Sequence, residues 1–186
     1  MNLEFKIISF NELSSAELYA ILALRQAVFI VEQNCPFLDA DGKDLDAYHV
    51  LIQDENGELM AYSRLLNRGV AYENYPSIGR VVSSPKARGI GAGIFLMEVS
   101  IKACIELYGR QTIKIGAQLY LKKFYESFGF VQIDEPYDED GIMHIAMILE
   151  ENEDFDDVKL YDEAKKNDDG ERILWNDYLK NRADRN

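Results

Sequence analysis

The sequence predicts an α+β domain in which a mixed sheet is flanked by helices. Three observations predict it. Two apolar runs flank Asn56-Gly57, a short-range hairpin signal. A short apolar run at residues 78–82 enters the glycine-dense turn SSPKARGIGAG and then a long apolar segment, which reads as a strand leading into a crossover helix. The chain has 186 residues, of which 47% are hydrophobic, enough to fill one core.

The elements follow in order. Residues 3–8 alternate and form a first strand. A helix follows, capped by Ser14 or Ser15, with Glu17 in its first turn and Leu18, Ile21, Leu22 and Val28 at helical spacing. Residues 32–47 carry Pro36 and a run of aspartates and read as a loop. The hairpin centred on Asn56-Gly57 comes next, because that pair takes the positive φ of a tight turn cheaply. After the strand at 78–82 and the glycine turn, a helix spans about 90–108 and closes near Gly109. Residues 112–115 form a strand. Residues 119–128 form a helix stopped by Gly129, which suits a left-handed C-terminal cap. Residues 130–133 and 142–149 are the last strands. A domain at 1–150 is therefore followed by a charge-rich appendage at 151–186. There, Leu174 with Tyr178 and Trp175 with Leu179 pair at i and i+4, so the appendage is either a solvated tail or a short docking helix.

A net charge of −13 argues against nucleic acid and against an anionic membrane surface as partners. It favours a cationic substrate. No stretch approaches the roughly 20 apolar residues of a membrane span, and the N-terminus lacks a signal pattern. Cys35 and Cys104, widely separated, read as reduced thiols of a cytoplasmic protein. Asp39, Asp41, Asp44 and Asp46 superficially match a calcium loop, but Gly42 comes two positions early and Val50 stands where glutamate is needed. No metal site is expected, and the loop reads as solvated or substrate-facing.

The glycine turn carries the functional signal. A Walker loop fails because Gly91 precedes Ala92. A dinucleotide fingerprint fails because Ile94 stands at its third glycine. Arg-x-x-Gly-x-Gly is met by Arg88, Gly91 and Gly93 directly before a helix. Gly89, Gly91 and Gly93 let a ligand approach the backbone. The first helical N–H groups lack partners, the dipole adds positive charge, and Arg88 and Lys86 add more. Such a turn holds a pyrophosphate even on an acidic chain.

This turn after a strand resembles the acetyl-coenzyme A (acetyl-CoA) loop of the GNAT N-acetyltransferases. LKKFYESFGF at 121–130 resembles that family's later signature, in the family's order. AVFIVEQNCPFLDADGKDL, IGRVV, IGAQLYLKKFYESFGF and DEDGIMHIAMIL resemble its ElaA-like branch. The resemblance covers residues 3–149. It departs from the family at Ser83, where a hydrophobic residue is usual, and at Gln118, which replaces an asparagine early in the fourth helix.

The resemblance implies the GNAT acyl-CoA N-acyltransferase fold, a mostly antiparallel sheet whose fourth and fifth strands splay apart. It implies acetyl-CoA as co-substrate, held by Val81, Ser83, Arg88, Gly89, Gly91, Ala92, Gly93 and Gln118. The strand glycine, Gly79, marks a bend or a close packing contact. The acceptor is expected to be a primary amine of a small molecule or peptide. Acyl transfer needs a neutral amine, a backbone N–H for the charge developing on oxygen, and a proton for the departing sulfur. Tyr125 matches the family's tyrosine facing that sulfur. The base is open among Glu32, His49, His144 and a water chain. A CoA-binding sensor with the same fold is the alternative function, and a homodimer is compatible with the sequence.

Overall fold

The structure is a computed structural model, and it describes residues 2–151. The appendage, read as either a solvated tail or a short helix around Trp175, lies outside the described residues. Strand β1 (Leu3–Ser9) leads to α1 (Ser15–Arg25), which continues as a π-helical segment, Gln26–Glu32. Ser14 is the cap: its hydroxyl accepts from the Glu17 N–H while Glu17 reaches back to the Ser14 N–H, a reciprocal box.

Strands β2 (Tyr48–Asp54) and β3 (Leu59–Leu66) form the expected hairpin, but its turn differs from the expectation. Only Gly57 takes positive φ, at 79°, and its N–H donates to the Asp54 carbonyl at 2.9 Å. The Asp54 carboxylate accepts from the Asn56 and Glu58 N–H groups and so fixes the turn without a left-handed asparagine. A turn with two left-handed residues occurs elsewhere. Asp140 (φ 52°) and Gly141 (φ 81°) join β7 (Tyr137–Glu139) to β8 (Ile142–Leu149). Strand β7 is short and exposed throughout, so it carries no apolar alternation in the sequence.

Strand β4 (Ser77–Ser83) pairs with β3 and leads through the glycine turn into α2 (Ala92–Tyr108). Strand β5 (Ile113–Gln118) is longer than expected: Ile113, Ile115 and Ala117 are buried while Lys114, Gly116 and Gln118 take the other face. Gly116 reads as a breaker in sequence and hid that alternation. The helix expected at 119–128 splits into a tight turn, Leu119–Leu121, and α3 (Lys122–Glu126). Gly129 caps it at φ 88°, and an added Cβ would sit 3.2 Å from Leu149 Cδ1. Strand β6 (Val131–Gln132) pairs with β8.

The strands form two leaves, β1-β2-β3-β4 and β5-β8-β6, with β7 also pairing β8. At the junction the Lys114 N–H donates to the Pro76 carbonyl at 3.0 Å, and beyond it β4 and β5 form no ladder. One core backs both leaves: Val50, Ala61 and Ile78 from the first and Ile113, Ile145 and Met147 from the second pack with Phe95, Leu96 and Val99 of α2. The only buried serine pair in that packing is satisfied, Ser63 Oγ to Ser100 Oγ at 2.7 Å, with Ser100 donating to the Leu96 carbonyl.

Candidate active site

Strand β4 carries a bulge where it leaves its ladder. Arg64 pairs with Gly79 and Tyr62 with Val82, so Arg80 and Val81 together oppose Ser63. The left-handed residue is Arg80 (φ 52°), not Gly79. A Cβ on Gly79 would meet nothing within 4 Å, so close packing within the chain does not explain that glycine either.

Asp39 and Asp41 hold this bulge and, with Asp44, pair with buried arginines, which corrects the solvated or substrate-facing role expected of these three. Arg80 Nε donates to Asp39 at 2.7 Å. Arg25, fully buried, donates to Asp39 and Asp44 at 2.8 Å each. Arg64 donates to both oxygens of Asp41 and to Asp44. Burial opposes ionisation of Asp41 and Asp44, but hydrogen bonds and charge from the arginines hold both carboxyls below their ordinary value. Buried charges of this kind need partners, and three guanidinium groups supply them. Asp46 alone of the four remains exposed.

At the mouth of α2, Gly89 (φ 78°) and Gly91 (φ 84°) are left-handed, and Gly91 caps the helix. The first helical bonds run from Ile94 and Phe95 back to the Gly91 carbonyl. Among the described residues, the N–H groups of Gly89, Ile90, Gly91, Ala92 and Gly93 make no hydrogen bond. A Cβ on Gly89 would point into open space, whereas one on Gly93 would reach 3.4 Å from Ser83 Oγ. Five consecutive amide donors around a helix N-terminus fit a diphosphate. Arg88 stands beside them, and it pairs with Glu32 at 2.9 and 2.8 Å across the mouth. Glu32 therefore lies against the phosphate turn.

On α3, Tyr125 is 6% exposed and packs edge-on against Phe124 and Phe130. Burial, and secondarily Tyr120, pushes its phenol well above the ordinary value, so it stays protonated. Its hydroxyl has no hydrogen-bond partner among the described residues.

The two histidines differ. His49 is fully buried with both ring nitrogens used: Nδ1 to the Tyr62 hydroxyl at 2.7 Å and Nε2 to the Asp44 carbonyl at 3.2 Å. It is a structural residue. His144 Nδ1 lies 2.8 Å from the Ile142 carbonyl, which only accepts, so Nδ1 carries the proton and Nε2 the lone pair. Nε2 has no partner among the described residues. Gln118 ends β5 directly opposite His144, before the helix rather than inside it. Its amide exchanges hydrogen bonds with Gln33, at 3.1 and 3.4 Å.

Sequence reasoning missed the residues facing His144. Tyr137 stacks on it, with ring centroids 6.0 Å apart. The Tyr137 and Tyr72 hydroxyls converge on Gly116, where an added Cβ would lie 3.1 and 3.4 Å from them. The Asp140-Gly141 turn was the available signal for Tyr137; nothing local signals Tyr72.

Known proteins are similar to this chain in sequence and in fold. The family profile for the Acetyltransferase (GNAT) domain matches residues 37–151. Protein ElaA of Escherichia coli is 44% identical over 150 residues, 80% of this chain and 97% of its own. The crystal structure of Escherichia coli ElaA superimposes with a TM-score of 0.74 at 43% identity, covering 80% of this chain and 99% of that one. An acyl-CoA N-acyltransferase from Pseudomonas aeruginosa gives 0.73 at 42% identity, covering 78% and 98%. No helix among the described residues is long and apolar enough to cross a membrane. By its sequence match and by its superposition on these structures, the chain belongs to the GNAT acetyltransferase family, in the ElaA-like branch.

Proposed function

We propose that the chain transfers an acetyl group from acetyl-CoA to a primary amine of a small molecule or peptide. One observation carries the reading: five consecutive N–H groups, those of residues 89–93, stand without hydrogen-bond partners among the described residues at the mouth of α2. The amides and Arg88 hold the diphosphate. The free edge of β4, with Val81 and Ser83, receives the pantetheine arm as an added strand. Acetyl-CoA, when bound, supplies an acetyl group activated as a thioester.

The chain's own groups then meet three needs. His144 Nε2 accepts the proton that the attacking amine must lose. Val81, at the bulge, offers its N–H to the carbonyl oxygen as negative charge develops there. The amine nitrogen bonds to the acetyl carbon as the carbon–sulfur bond breaks, and Tyr125 gives its proton to the leaving sulfur. The products are an N-acetyl amide and a free thiol.

Calorimetric titration with acetyl-CoA, followed by thiol release across an amine panel, tests the reading. Binding with turnover on at least one amine supports it. Binding without any turnover favours a CoA sensor, and absence of binding removes the reading altogether.

A further inference from the structure

The open face of the second leaf has an electrical polarity that the transfer reaction alone does not require. Lys114, Gly116 and Gln118 alternate onto this face of β5, directly opposite Ile148, Ala146 and His144 of β8. At one end His144 has its free Nε2, and Glu139 lies 3.9 Å from its Nδ1. At the other end stands Lys114. Its ammonium lies 5.0 Å from the centre of the Tyr72 ring and 5.8 Å from that of Tyr75. Aromatic faces orient an ammonium but accept none of its three N–H bonds in the manner of an oxygen. Among the described residues no carboxylate or carbonyl accepts from Lys114. Lys114 is thus a half-buried cation with no anion against it among the described residues, in a chain of net charge −13. Between the two ends, the Tyr72 and Tyr137 hydroxyls converge over Gly116. Neither has a hydrogen-bond partner among the described residues, so two neutral O–H donors stand beside the unmatched ammonium.

We propose that this trio, Lys114 with the Tyr72 and Tyr137 hydroxyls, binds a carboxylate of the acceptor, so that the acceptor is an amino acid. The inference rests on the acetyl-transfer reading and names the substrate class of the same site. The acceptor's amine lies toward His144 and Glu139, and its carboxylate toward Lys114. One ammonium with two neutral donors matches a single negative charge. A dianionic phosphate would be opposed by Glu139, whose charge reaches both Tyr72 and Tyr137. The carboxylate takes no part in bond making: the new C–N bond and the broken C–S bond lie at the other end, and the product is an N-acetyl amino acid.

The test compares matched acceptors on the full chain. Amino acids, their carboxamides, the corresponding decarboxylated amines and an aminoalkyl phosphate are assayed by thiol release, with acetyl-CoA affinity measured separately by calorimetry. The acids should exceed their carboxamides by about tenfold or more in kcat/KM. Lys114→Met should raise KM for the acids by a similar factor and leave carboxamide kinetics and acetyl-CoA affinity unchanged. Lys114→Arg should restore part of the preference. Tyr72→Phe and Tyr137→Phe, which remove only the hydroxyls, should each weaken acid binding a few-fold. Equal or better use of carboxamides, decarboxylated amines or the phosphate overturns the proposal, as does an acid preference that survives Lys114→Met. Acetyl-CoA that fails to bind, or that binds with no acceptor turned over, counts instead against the transfer reading.

Discussion

Arg88 donates from a single guanidinium nitrogen to both carboxylate oxygens of Glu32, at 2.9 and 2.8 Å. The pair closes across the phosphate turn, with both side chains nearly half exposed. On the proposed reading, Glu32 would compete with a diphosphate for the same cation. Glu32→Gln should tighten acetyl-CoA binding by about two- to fivefold, the range of an exposed ion pair. Arg88→Met should weaken it by about tenfold. Calorimetry on both variants checks this. If Glu32→Gln lowers kcat with affinity unchanged, Glu32 acts on the amine instead.

Tyr125 is buried among aromatic rings with its hydroxyl unpartnered, so replacing it by phenylalanine removes one oxygen and preserves the packing. Tyr125→Phe should lower kcat by about a hundredfold, in the range for a lost proton donor, and leave acetyl-CoA affinity within about twofold. Steady-state kinetics beside calorimetry separates the two. Unchanged turnover would falsify the role.

His144 owes its free Nε2 to the bond between Nδ1 and the Ile142 carbonyl. His144→Gln should lower kcat by about a hundredfold, the loss of a general base, and leave acetyl-CoA affinity unchanged. His49→Gln should act on stability, because both His49 nitrogens are already bonded inside the core. Pairing the two variants in rate and urea-unfolding measurements distinguishes the base from the structural histidine.

Arg25 has no solvent exposure and holds Asp39 and Asp44 together. Arg25→Met leaves two buried carboxylates short of a partner and should destabilise the fold by about 3–5 kcal/mol. Urea unfolding near neutral pH measures this. A loss below about 1 kcal/mol, the level of a surface pair, would show that water replaces the guanidinium.

The same network sets a pH dependence. Arg25 and Arg64 outweigh burial and hold Asp44 below its ordinary 3.8 in the folded chain. Between that lowered value and 3.8 the unfolded chain binds more protons, so stability rises with pH in this window. The contribution is complete above the unfolded value and is lost as pH falls through the folded one. Unfolding free energies of the wild type should therefore drop between about pH 5 and pH 2. In Asp44→Asn that drop should be smaller, and equal slopes in the two proteins would contradict the assignment.

The parts legible in the sequence were those specified by neighbouring residues. The helix start at Ser14 or Ser15, the turn at 83–93 and the Gly129 cap are each specified within a few positions, and each stands where expected, with Ser14 as the cap. The Asn-Gly and Asp-Gly pairs show the limit of that logic. Asn56 stays right-handed because the Asp54 side chain already satisfies the turn, while Asp140-Gly141 makes the tight hairpin instead. The aspartates at 39–44 were misread because their partners, Arg25, Arg64 and Arg80, lie 14 to 41 residues away. Charge in a loop resembles solvation until the cations are located. Tyr72 and Lys114 escaped notice for the same reason, since only the meeting of the β3–β4 loop with β5 joins them.

The gap between β4 and β5 has a mechanical consequence. Phe95, Leu96 and Val99 of a single helix are buried against both leaves. Prising the leaves further apart would drag those side chains into water. The notch is thus cut to width during folding, and an incoming thioester finds it ready rather than having to force it open. Capture should then be governed by collision and charge, with little delay from breathing of the scaffold.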